Sequence, residues 1–200
     1  METKQSRHIG YAVLTLASAG LAIWAWFALA TAPYPWIGGP GGLTSLLGLA
    51  MLAAFYVFYK GTTDLSLAVS GWAGACAGFG ALILAIVYGF NPDGHGNYGV
   101  GYAARWVGLL CIAVGLLPAP AAAMGAQKEL RLALWLAFLS AFGFFIGFVG
   151  FATGGPYHLW TGVGDFVGTF AYAAFAVILA WLCVSKQLGW PKVGAFAYME

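Results

Sequence analysis

Five side chains in this sequence could carry chemistry, and they fall in two short stretches expected at the same ends of the helices: Asp93, His95 and Arg105, then His158 and Asp165. Charges grouped at an entrance can select which ions or polar solutes pass. A histidine among them makes that entry respond to pH. The same set has a plainer role, in which Arg105 and Asp165 form an ion pair tying two helix ends together. A copper or zinc site built from His95, His158 and an aspartate is the weakest of the three readings, because no ligand spacing supports it. Other chemistries are excluded by position. A bis-histidine haem needs histidines inside apolar runs, and His8, His95 and His158 all lie outside their middles. A retinal pigment needs a lysine in mid-run, and none is there. No carboxylate sits mid-run to relay protons, and no nucleophile stands beside a base. The expectation is therefore no catalytic residue, no cofactor and no resident metal, with a membrane enzyme the weakest class of function.

The elements that position these residues follow from composition. Of 200 residues, 62% are apolar and 17% aromatic, and only 7% are charged. Globular domains carry roughly 25% charged residues to meet water, so a water-facing surface is ruled out. A disordered chain is ruled out by the same hydrophobicity. A net charge of +2 with no basic block gives nothing for nucleic acid to bind. Cys76, Cys111 and Cys183 are scattered through apolar stretches and read as small hydrophobes.

Six apolar runs, at about residues 9–32, 43–59, 65–90, 100–117, 132–152 and 163–184, approach the length that crosses a bilayer. Backbone groups in lipid must bond internally, so each run is expected to be a helix. The fold expected is an all-α integral membrane protein with six transmembrane helices, one membrane domain over 1–200, and a short tail at 185–200. Ala28-Leu29-Ala30 resembles a signal-peptide cleavage site, but the apolar stretch before it is longer than such peptides use, so the first run is read as an anchor. Lys4, Arg7, Lys60, Lys128, Arg131, Lys186 and Lys192 share one side if there are six crossings, leaving only Arg105 opposite. Basic residues collect in the cytoplasm, which puts both termini there, in what is expected to be a prokaryotic plasma membrane.

The three external connections are alike: Pro33-Tyr34-Pro35-Trp36, Asn91-Pro92-Asp93-Gly94-His95 and Gly155-Pro156-Tyr157-His158. This suggests three helical hairpins, although interfacial loops favour Pro, Gly, Trp and Tyr in any case. Small residues recur every four positions at Ser70, Gly74 and Gly78, at Gly143 and Gly147, and at Gly164 and Gly168. In lipid such stripes let helix backbones approach closely. Deeper polar groups are hydroxyls, among them Thr15, Ser18, Ser140 and Thr169, expected to bond their own helix one turn back.

The stretch Phe58-Tyr59-Lys60-Gly61-Thr62-Thr63, followed by the glycine- and aromatic-containing run 67–80, resembles the acetate uptake transporter family of small anion channels. The resemblance implies six spans packed as three hairpins with both ends in the cytoplasm, and passage of a monocarboxylate. That family's Asn-Pro-x-Pro-Leu-Gly signature is replaced here by Arg7-His8-Ile9-Gly10, so no constriction residue is carried over. The function expected is a channel or transporter for a small solute, a monocarboxylate or other weak acid, entering past Arg105, Asp165, His158, His95 and Asp93. The alternative is a non-catalytic integral subunit of a larger complex, such as a respiratory or oxidase assembly. Its partners on either reading are the lipid bilayer and copies of itself or other membrane subunits.

Overall fold

Long apolar runs with few prolines leave the backbone little choice in lipid, and the chain forms helices. A computed structural model describes residues 2–31, 41–61, 67–90, 98–120, 128–155 and 157–185, with side chains within 9–27, 46–59, 72–87, 103–120, 128–155 (Glu129 aside) and 157–185. Six long helices make up the framework: α1 Glu2–Thr31, α2 Gly41–Gly61, α3 Leu67–Phe90, α4 Tyr98–Leu116, α5 Lys128–Gly154 and α6 Leu159–Val184. The described residues are almost wholly helical. Three of the helices, through Ile9–Phe27, Leu130–Gly154 and Leu159–Val184, are long and apolar enough to cross a membrane.

Three helix starts differ from the sequence expectation by four residues or more. α1 begins seven residues early, α5 four and α6 four. Apolar runs mark what belongs in lipid, whereas helical hydrogen bonding continues through polar helix formers such as Glu2, Lys4, Lys128 and Arg131. At α6 the early start has a local cause. Gly155, with φ of 77°, ends α5, and the Thr161 hydroxyl donates to its carbonyl at 2.9 Å, so the turn closes tightly before Leu159.

Each helix packs on its neighbours in the chain, and α6 returns to α1, so the six form a closed circle. The circle is uneven. α2, α4 and α6 bury more than half of their described residues, while α1, α3 and α5 bury about a third. The even-numbered helices thus form an inner set and the odd-numbered ones an outer set. Outward faces carry large apolar side chains, such as Trp72, Phe79 and Ile86 on α3 and Trp135 and Phe145 on α5. So much exposed apolar surface is ordinary against lipid and a liability in water.

Lipid tails are as apolar as leucine, so helix association here rests on close packing rather than on water exclusion. The α5–α6 seam shows how. Gly143, Gly147 and Gly150 face Gly168, Gly164 and Thr161 in antiparallel register, backbone against backbone. A methyl group on Gly164 would fall on the Gly147 backbone and stand 2.6 Å from the Gly143 carbonyl oxygen. The α3–α4 seam repeats the device, with Gly115 against Ala73 and Ala77 and Gly80 against Gly108 and Ile112. By contrast, a methyl group on Gly20 or Gly162 meets open space. Gly164→Ala should therefore cost stability on the order of 1–3 kcal/mol, while Gly20→Ala should be neutral or stabilising by up to about 1 kcal/mol. Thermal unfolding in detergent of the two variants side by side checks this contrast.

Candidate functional site

On α4 the positions Arg105, Leu109, Ile112 and Leu116 follow one another at helical spacing and are all buried, so they form its inward face. Three of the four are apolar and the fourth is a cation. Arg105 needs a partner, since a lone charge in an apolar bundle is strongly unfavourable. Asp165 on α6 supplies it. One terminal nitrogen of the guanidinium donates to both carboxylate oxygens, at 2.7 and 2.8 Å. Arg105 is 3% exposed and Asp165 9%, so the contact is shielded from solvent.

The pair does not join adjacent helices. α5 lies between α4 and α6 in the circle, so the two side chains meet across the interior. Two features of α5 allow it. Gly164 rests on Gly147, which brings Asp165 up against α5. The fully buried Trp106 lies over the same Gly147 and stacks on Phe151, ring centroids 6.1 Å apart at 17°. The Arg105 guanidinium carbon in turn sits 5.0 Å from the centroid of Trp106, within reach of its π face. Glycine on α5 thus accommodates both the backbone bearing the carboxylate and the indole that supports the guanidinium.

Depth is where the sequence expectation needs correction. Arg105 was expected about one turn inside its helix and Asp165 near the start of its own. Because α4 starts at Tyr98 and α6 at Leu159, the two lie seven and six residues in, roughly 10 Å along the axis at 1.5 Å per residue. Both side chains therefore lie nearly two turns into their helices.

His158 is not part of this contact. It is the residue before α6, and its imidazole packs on Gly154. Seven residues separate it from Asp165, about two helical turns. Its Nδ1 is buried and has no hydrogen-bond partner among the described residues. Asp93 and His95 lie outside the described residues. Among the described residues, no three His, Cys, Asp or Glu side chains gather as metal ligands do, and all three cysteines are free thiols.

Two further ties cross the interior, and sequence reasoning did not find them. The Tyr59 hydroxyl on α2 donates to the Gly115 carbonyl on α4 at 2.6 Å, passing α3. Phe55 and Phe58 of α2 meet Tyr172 and Phe175 of α6 edge-on, at 5.9 and 5.0 Å between centroids. The one available signal was spacing, since Tyr172 stands seven residues after Asp165 and hence on the same helix face. All three inner helices are therefore linked pairwise by side chains.

Breaking a buried ion pair from one side strands the other charge, at about 3–5 kcal/mol. Asp165→Ala and Arg105→Ala should each lose about that much stability, while Arg105→Met combined with Asp165→Leu should recover most of it. Unfolding midpoints of the four proteins in detergent check this, and single losses below about 1 kcal/mol would refute the buried pair.

Set against known protein families, characterised proteins and solved structures, the chain matches none, so its role is argued from this geometry.

Proposed function

We propose that this chain is a membrane channel or transporter for a small solute, with a monocarboxylate or other weak acid as the class it best fits. One observation carries the reading: a buried Arg–Asp pair spanning the bundle interior between two helices separated by a third. Charged groups inside a membrane bundle are costly and usually mark a substrate or ion path. A guanidinium presents a planar pair of donors matched to a carboxylate. A carboxylate solute can therefore take the place of Asp165 on Arg105, exchanging an internal partner for the cargo.

Six crossings fit this reading. α2, α3 and α4 contain 21, 24 and 19 residues, or roughly 28–36 Å of helix against a hydrocarbon thickness of about 30 Å. With six crossings, seven of the eight basic residues share the cytoplasmic side with both termini. The inner helices α2, α4 and α6 then run in one direction, from outside to inside, and the ion pair stands at the external end of the space between them. A prokaryotic plasma membrane is the location that accompanies this orientation.

A second reading has an observation of its own. The centre is filled by large, fully buried side chains, Phe55, Tyr172 and Phe175 among them. A packed centre also suits a non-catalytic subunit that docks with other membrane proteins or with further copies of itself.

Uptake into proteoliposomes of the purified protein separates the two. Acetate, urea and glycerol are offered at pH 6 and pH 7.5. The transport reading expects acetate uptake above that of empty liposomes, falling at least tenfold when Arg105→Met and Asp165→Leu are combined. Folded protein with no flux of any solute would favour the subunit.

A further inference from the structure

Three buried hydroxyls stand at one height in the bundle. Ser18 is the tenth of 19 residues in Ile9–Phe27, Ser140 the eleventh of 25 in Leu130–Gly154, and Tyr172 the fourteenth of 26 in Leu159–Val184. All three are inaccessible to solvent. Each is near the middle of a helix of membrane length, so on the transport reading the set falls near mid-membrane, where sites in secondary transporters are commonly found.

The hydrogen bonds here have a direction. A carbonyl oxygen can only accept, so the 2.7 Å contact from Ser18 Oγ to the Thr15 carbonyl uses the single proton of Ser18. The 2.9 Å contact between Ser18 Oγ and the Tyr172 hydroxyl must then be a donation by Tyr172. Thr15 is itself committed, donating to the Tyr11 carbonyl at 2.8 Å. Ser140 donates to the Gly168 carbonyl at 2.9 Å. The Tyr172 hydroxyl thus donates to a side chain on another helix, linking α6 to α1.

The other end of that contact is mechanical. The Tyr172 ring meets Phe55 at 5.9 Å and an interplanar angle of 67°, with Phe175 beside it at 6.1 Å. One turn further in, Phe58 and Phe175 meet at 5.0 Å and 88°. α2 and α6 are not neighbours in the circle and touch only slightly, so these aromatics are what bridges them. Rotation about χ1 swings the tyrosine hydroxyl, so a hydrogen bond at its tip opposes that swing.

We infer that Tyr172 is the moving part of an internal aromatic gate, and that its hydrogen bond to Ser18 is the latch that holds it closed. This rests on the solute-path reading and adds its mid-membrane control point. The ion pair closes the outer end, and the Tyr172–Phe55 contact closes the middle. Opening requires the ring to leave Phe55, which the Ser18 bond opposes. Removing the latch from either side should therefore increase flux, whereas removing a merely structural bond lowers stability without opening anything.

The test measures initial acetate uptake in proteoliposomes for the wild-type protein, Ser18→Ala and Tyr172→Phe, with unfolding midpoints recorded in parallel. One hydrogen bond's net contribution predicts a rise of roughly two- to tenfold in both variants. Tyr172→Phe removes one oxygen and keeps the ring packing, so it carries the test even if Ser18→Ala does not fold. Uptake by the wild type with level or lower uptake by both variants overturns the latch and leaves the path standing. Absence of uptake from the wild type and both variants overturns the path, and the latch with it.

Discussion

A guanidinium and a carboxylate buried in an apolar bundle have to find each other, and much of this architecture follows from where they meet. Arg105 and Asp165 are held on α4 and α6, with α5 between them. For the two charges to touch, α6 must press against α5 closely enough that Asp165 reaches past it, and α4 must do the same from the other side. Gly147 serves both requirements, carrying the Gly164 backbone and the Trp106 indole. A side chain at that position would move one helix or the other and leave both charges without compensation.

The same logic extends around the circle. Glycine and alanine bring the outer helices close to the inner ones, at Gly115 against Ala77 and at Gly74 against the Tyr59 ring. Three sets of longer side chains then cross the interior: the ion pair near the starts of α4 and α6, the aromatic layer between α2 and α6, and Tyr59 to the Gly115 carbonyl. These are successive layers along one axis, ionic, aromatic and hydrogen-bonded. The seams are thus backbone contacts, whereas the cross-ties are made by side chains.

Much of the frame was legible beforehand. Scarcity made Arg105 and Asp165 stand out, since few charges lie anywhere near the apolar runs. Four-residue spacing marked Gly143, Gly147, Gly164 and Gly168 as packing faces, and these are the residues in the α5–α6 seam. What could not be read was anything set by helix order in space. The pairing of Tyr172 with Ser18 spans 154 positions, and most hydroxyls such as Ser18 were expected to bond their own helix backbone. Ser18 does so through its proton and accepts from Tyr172 through its oxygen, a double use that composition does not reveal. His158 was grouped with the pair because both lie at one end of the chain's hairpins, yet two turns of α6 separate it from Asp165. The proposed depth of the pair was shallow for a related reason, because hydropathy marks the lipid boundary and not the first helical hydrogen bond.

On the proposed transport reading the ion pair closes the outer end of the interior, and a single accessibility measurement tests that. Leu109 lies one turn below Arg105 on the same buried face of α4. In a background with the native cysteines replaced, Leu109→Cys is exposed to a membrane-impermeant thiol reagent from the external side, with and without Asp165→Asn. The account predicts protection while the pair is intact and rapid labelling once the Asp165 charge is removed. Equal labelling in both proteins would contradict it.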